Sequence, residues 1–441
     1  MIMKSLFVLF IFVSLTILFP FQNQASAQTP PIDATLTTAA QYFREANALC
    51  RRDDGKLWGV SLCAPVLLVE PQTRAVVANQ ADRESVLTKN GSVFAGRLPA
   101  QVNVANTAVE WAGVKWTMMM LPLPEDKIRR AGLMAHEMWH RAQNNIGFPA
   151  SGAANDHLDS RDGRLWLQLE WRALAKALSS RGEQRRRAIA DALLFRAYRR
   201  TIFPNVAAQE REMEMHEGLA EYTGVKLAGS PNLNRHLIDQ TLKEAPQKQT
   251  FVRSFAYASA PAYGVLLDET KADWRKNLKK DDDLGNLLRA LLSIALPQNP
   301  KQAAESRAKD YDGEQLLASA AERENNRRKL LAEYRARLVG GAVLIIPLQK
   351  MNMQFNPSNL VPLDLLGTVY PDIRIVDVWG VLTVSNGGAL MNPTFSKIYV
   401  PAPTDLTRSP IRGDGWALEL NAGWTITNDE RKGDYVVKKS E

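Results

Sequence analysis

Five consecutive residues, His136, Glu137, Met138, Trp139 and His140, have the types and spacing needed for metal-assisted hydrolysis. Two histidines four apart on a helix lie one turn above each other on the same face. Both imidazoles can then reach one metal ion, with Glu137 directed at the coordination position left open beside it. Zinc held in this way lowers the pKa of a bound water to roughly 7 and polarises a carbonyl, and the glutamate takes the water's proton. The whole chain has only 5 histidines, so two at this interval are informative.

The flanks predict the helix that the pattern requires. Apolar Ile128, Leu133, Met134 and Met138 recur at helical spacing, Pro124, Glu125 and Asp126 form a start signal, and Asn144, Asn145 and Gly147 a stop. A core helix with two satisfied histidines is the alternative, but a core face gives no reason for a glutamate beside His136.

A catalytic zinc site needs a third protein ligand and one open position. The metzincin arrangement is excluded, because its glycine and histidine positions hold Gln143 and Ile146. Three candidates remain. Glu217 and Glu221 are four apart in the segment Met215 to Tyr222, where small Gly218 and Ala220 would let a helix pack closely. His216 is a second candidate, although adjacent helical residues point about 100° apart and would not share an ion. Asp156, His157 and Asp159, just after the metal helix, form the third. For Glu217 and Glu221 the alternative reading is a pair of surface glutamates on a charged helix that also carries Glu210, Glu212 and Glu214.

The zinc motif and the Met215 to Tyr222 segment together resemble the gluzincin (thermolysin-like) zinc metallopeptidases. By that resemblance Glu217 is the third ligand and Glu221 the acid that fixes a histidine's tautomer. Two further segments are similar to the aminopeptidase N and glycyl aminopeptidase branch, so that the likeness covers residues 108–268. Ala108 to Val114 resembles the edge strand whose glutamate, here Glu110, grips a free amino group. Trp111 stands where that branch has asparagine, and the alternative is a glutamate on an exposed strand face. Tyr257 to Leu267 resembles the segment presenting a tyrosine to the tetrahedral intermediate, with Tyr257 first and Tyr263 second in that role. Ala260 replaces the usual glycine and the neighbouring lysine is missing; core packing of the tyrosines is the alternative.

The elements that must position these residues give an α+β chain. A helix is expected over Leu36 to Leu49. Strands are expected at Leu57 to Val60, at Val66 to Val69 and Ala75 to Ala78 in a hairpin, at Val102 to Ala105, and from Ala108 to Met120. Downstream, helices are expected at 165–178, 184–199 and 206–227, then a segment at 251–267 and helices near 284–296 and 314–337. From Gly340 and Gly341 onward, short alternating runs with Trp379, Trp416 and Trp424 read as an all-β module. The expected division is a leader at 1–27, an N-terminal helix and antiparallel sheet at 28–124, a helical part with the zinc site at 125–338, and the β module at 339–441. The resemblance implies that 28–338 form a gluzincin-like catalytic core.

Lys4, the apolar run Leu6 to Phe21 and the small-x-small site Ala25, Ser26, Ala27 read as a secretory signal peptide, predicting export to a periplasmic or extracellular space. In an oxidising compartment Cys50 and Cys63, the only 2 cysteines, are expected to pair; two buried free thiols are the alternative. The net charge of +8 is spread along the chain, and clusters such as Arg185 to Arg187 read as solvated helix faces. No nucleic-acid partner and no stable membrane insertion after leader removal are therefore expected. The leading expectation is an exported metallopeptidase with one zinc ion per chain, acting on a peptide or protein. A non-catalytic binding protein on a peptidase scaffold and a zinc hydrolase of non-peptide amides are the alternatives.

Overall fold

The computed structural model describes residues 32–99, 102–150, 155–356 and 359–440; the expected leader falls outside them. Helix α1 (Ile32–Asp53) comes first, and near its end Cys50 is disulfide-bonded to Cys63, tying it to the segment that leads into the sheet. That sheet contains β1 (Val66–Val69), β2 (Ala75–Ala78), β3 (Thr88–Asn90), β4 (Val93–Arg97), β5 (Thr107–Trp111) and β6 (Val114–Met120), in the spatial order β3, β4, β2, β1, β6, β5.

The sheet is mixed, which corrects the expectation of an antiparallel one: β1 pairs antiparallel with β2 but parallel with β6. The reason can be read in β1, whose four residues Val66, Leu67, Leu68 and Val69 are all buried. Such an uninterrupted apolar run suits a central strand covered on both faces. Leu68 and Met119 face the helices, whereas Leu67, Val69, Trp116 and Met118 form a separate cluster on the opposite face. The expected strands at 57–60 and 102–105 do not form; Gly55 and Gly59 take positive φ (74° and 72°) and fold the first of these into turns. Ala112 and Gly113, also at positive φ, turn the β5 and β6 hairpin and leave β5 as an outer strand.

Helix α2 (Lys127–Ile146) lies against this sheet. The helical half follows with α3 (Arg161–Ser179), α4 (Gly182–Ile202), α5 (Val206–Met213), α6 (Leu219–Leu227), α7 (Leu233–Leu237), α8 (Ser254–Asp268), α9 (Leu284–Leu291), α10 (Pro300–Ala308) and α11 (Gly313–Arg335). The helix expected over 206–227 is interrupted, because residues Glu214–Gly218 make a π-helical turn between α5 and α6. Close packing sets the π turn and α6 against α8: a Cβ on Gly218 of the turn would meet that of Ala260 at 2.4 Å, and one on Gly264 would meet the ring of Tyr222 in α6 at 2.4 Å. No helix among the described residues is long and apolar enough to cross a membrane.

The acids next to the π turn are not on the surface. Glu210 and Glu214 are both 0% exposed, which corrects their reading as solvated residues. Glu210 accepts from Arg199 Nε at 2.9 Å and Arg200 Nε at 2.7 Å; Glu214 accepts from Arg196 Nη1 at 2.8 Å. Asp283, at the start of α9, receives Arg196 Nη2 and Arg200 Nη1, each at 2.9 Å. Buried charges persist only when paired and hydrogen-bonded in this way, and the pairing fixes the end of α5 from which the π turn starts.

The C-terminal module consists of a seven-stranded and a six-stranded sheet running from Val343 to Lys439. Trp379 and Trp416 are buried between strands, with their indole N–H groups donating to the carbonyls of Pro347 (2.7 Å) and Pro401 (2.9 Å).

Candidate metal centre

Helix α2 starts where Asp126 accepts from the Arg129 amide at 2.8 Å, and stops at Gly147, whose φ of 98° is left-handed. Along it, His136 and His140 turn their Nε2 atoms toward each other, 3.0 Å apart. Their other ring nitrogens are engaged: His136 Nδ1 lies 2.9 Å from Glu221 Oε2, and His140 Nδ1 lies 2.8 Å from Gln143 Oε1. A carboxylate or amide oxygen accepts, so each Nδ1 is the donor and each Nε2 is left facing the common point.

The π turn brings Glu217 to that point. Its Oε2 lies 3.6 Å from His136 Nε2 and 3.4 Å from His140 Nε2, closing a triangle of one carboxylate oxygen and two imidazole nitrogens. Tetrahedral bonds of about 2.0–2.1 Å place donors about 3.3 Å apart, and edges of 3.0, 3.4 and 3.6 Å bracket that spacing. The donor set suits zinc, and would also accept other first-row divalent ions. Insertion of one residue into a helical turn is a common device at functional sites; here it delivers both His216 and Glu217 to the same cleft.

The electrostatics favour a cation. Burial opposes charge on His136, but the neighbouring carboxylates of Glu217 and Glu221, then that of Glu137, outweigh it and raise its pKa to about 10. A proton and a metal ion compete for that nitrogen. Burial alone would raise the Glu217 carboxyl, yet the two histidines and Tyr257 hold it far below the usual carboxylate range. Glu137 is 4% exposed and pushed upward by burial, and its Oε2 has no hydrogen-bond partner among the described residues. An unpartnered buried acceptor at this position fits a group that is completed by water.

Helix α8 supplies two more side chains. The Tyr257 ring stacks on His136, with centroids 5.5 Å apart, and its hydroxyl donates to Glu217 Oε2. Burial, then the charge of Glu217, raises its pKa and keeps the phenol protonated. Arg253 Nη2 donates to the other oxygen, Glu217 Oε1, at 2.8 Å. These groups line a cleft of about 1160 Å³ between the outer strand β5 and the helical half, with Thr107 and Ala108 on the strand side. Behind α2, Trp139 packs against Trp58 (4.5 Å between centroids) and Phe148 (5.8 Å), backing the metal-facing helix with a rigid aromatic layer.

The structure thus brings together His136, Glu137, His140, Glu217, Glu221 and Tyr257. His216 also lines the cleft, its ring 5.2 Å from that of His140. Other expectations are corrected. Tyr263 is 0% exposed and donates to Glu170 Oε1 at 2.8 Å, so it is a core residue turned away from the cleft. Glu110 is exposed near the tip of the β5 and β6 hairpin, opposite Lys115, and is not among the cleft-lining residues. His157 pairs with Glu210 at 2.9 Å, and Asp159 accepts from Arg164 and the Phe251 amide, each at 2.8 Å, which takes both out as third-ligand candidates; Asp156 is exposed and is not in the donor group. Two residues escaped the sequence reading. Gln143 sits three positions after His140 on the same helix, a neighbouring spacing that should have marked it as a partner. Arg253 precedes Tyr257 by one turn, and no local pattern announces that it reaches Glu217. In comparisons with known proteins, no family model matches the chain, and neither does any curated protein or solved structure.

Proposed function

We propose that this chain is an exported, zinc-dependent metallopeptidase with a gluzincin-like core. The observation that carries the proposal is the triangle of His136 Nε2, His140 Nε2 and Glu217 Oε2, with edges of 3.0 to 3.6 Å, beside the unpartnered Oε2 of Glu137. A mixed sheet, an H-E-x-x-H helix packed on it and a helical half carrying the third donor support the core assignment. The Cys50 to Cys63 disulfide supports an oxidising destination.

Bound zinc would act as a Lewis acid, acidifying a water and polarising the scissile carbonyl. His136, His140 and Glu217 would hold the ion, with Glu221 and Gln143 orienting the two imidazoles. Glu137 takes the proton of the attacking water and returns it to the departing amine. Tyr257, protonated at neutral pH, would turn its hydroxyl from Glu217 Oε2 toward the oxygen on which negative charge develops.

Metal analysis and turnover of three proteins test this reading. The wild type should carry close to one zinc per chain and cleave a denatured protein substrate. Glu217→Ala should lose the metal, and Glu137→Gln should keep it while losing activity by at least about 100-fold. Full zinc in Glu217→Ala would remove Glu217 from the site, and unchanged turnover in Glu137→Gln would defeat the mechanism.

A further inference from the structure

The three donors each have an outer partner: Glu221 for His136, Gln143 for His140 and Arg253 for Glu217. Gln143 and Arg253 both line the cleft, but Gln143 is only 4% exposed. Arg253 differs, because its side chain is 51% exposed. Among the described residues its guanidinium makes one hydrogen bond, from Nη2 to Glu217 Oε1. A guanidinium has five N–H donors in a rigid fork matched to a carboxylate, so four remain for something in the cleft. Holding the liganding carboxylate does not require an arginine open to solvent; a buried amide would serve, as Gln143 does for His140.

We infer that Arg253 is a substrate-binding residue that receives a carboxylate placed one or two residues from the bond to be cut. The inference rests on the metallopeptidase reading and narrows its substrate class. Reach fits this assignment. The 2.8 Å contact at Oε1, the width of a carboxylate and the 3.4 and 3.6 Å contacts at Oε2 keep the guanidinium within roughly 8 Å of the imidazole nitrogens. Extended peptide advances about 3.3–3.6 Å per residue. The carboxylate could be a free C-terminus or an aspartate or glutamate side chain. Glu110 lies outside the cleft lining, so the residue expected to grip a free amino group does not compete with this assignment.

The test uses binding by a silent enzyme. Zinc-loaded Glu137→Gln protein, with its zinc content measured first, is titrated calorimetrically with three probes: N-acetyl-Ala-Ala-Ala as the free acid, its C-terminal amide, and N-acetyl-Ala-Ala-Asp-amide. The free acid, the aspartyl amide or both should bind at least about tenfold more tightly than the neutral amide, as a charge-assisted hydrogen bond implies, and the better of the two identifies the source of the carboxylate. Adding Arg253→Gln should erase the advantage at full zinc loading, and Arg253→Lys should restore part of it. Equal binding of all three probes, no binding of any, or an advantage that survives Arg253→Gln would overturn the assignment. Zinc far below one per chain would instead defeat the metal reading beneath it, and the assignment with it.

Discussion

Gly224 of α6 lies directly on Gly132 of α2, so close that a methyl group at position 224 would sit 2.7 Å from the Gly132 carbonyl oxygen. The crossing of the two helices is therefore set by backbone meeting backbone. Glu221, three residues before Gly224, reaches Nδ1 of His136, four residues after Gly132, at 2.9 Å. Without that approach the carboxylate and the imidazole would stand apart.

Gly224→Ala sets two effects against each other. Alanine improves helix propensity by about 1 kcal/mol, but its Cβ must push two backbones apart, and overpacking of this kind costs about 1–3 kcal/mol. The clash should win, because a carbonyl in a helix cannot swing aside as a flexible side chain can. The expected outcome is a lower melting temperature together with weaker zinc binding. Unchanged values of both would show that the crossing does not set the site.

How far the sequence reached follows from the range of each interaction. The start and stop of α2 were legible because Asp126 and Gly147 act within one turn of the helix they bound. The hairpin of β1 and β2 was legible for the same reason. The parallel pairing of β1 with β6 was not, since it joins strands about fifty residues apart and no local pattern encodes it. Glu210 and Glu214 look like any solvated acids in the sequence; only the fold shows Arg196, Arg199 and Arg200 of α4 facing them. The π turn was illegible because helical periodicity hardly changes across one extra residue, yet that turn presents Glu217. Tyr257 and Tyr263 show the limit on resemblance: they share a segment, but one faces the cleft and the other the core.

Gln143 gives a prediction that separates orientation from ligation. Its Oε1 holds His140 Nδ1 at 2.8 Å, which fixes the ring that turns Nε2 to the triangle. In Gln143→Leu the ring loses that anchor, and outer partners of this type are worth about 10–100-fold in metal affinity. Chelator competition should show weaker zinc binding in Gln143→Leu and near-normal binding in Gln143→Glu, whose carboxylate can still accept. Equal affinity in all three proteins would mean that helix packing alone orients His140.

Acid should probe the buried charges behind the site. Burial raises the Asp283 carboxyl, but the guanidinium groups of Arg196 and Arg200 outweigh it and hold the group well below its ordinary 3.8. Glu210 is likewise held well below 4.5, with Arg199 and Arg200 overcoming burial. Both therefore stay charged in the folded chain at pH values where the unfolded chain has already taken up protons. Their contribution is fully present above the unfolded values and is lost as pH falls toward the depressed ones. Glu214, raised by burial, works in the opposite direction and blunts the slope, so Asp283 is the better position to alter. Wild-type melting temperature should be nearly flat from neutral pH to about 5 and fall below that. Asp283→Asn should melt lower at pH 7, since leaving two buried guanidinium groups short of a counter-charge costs about 3–5 kcal/mol, and its acid slope should be shallower. Parallel slopes for the two proteins, followed by circular dichroism, would place the acid sensitivity in other carboxylates.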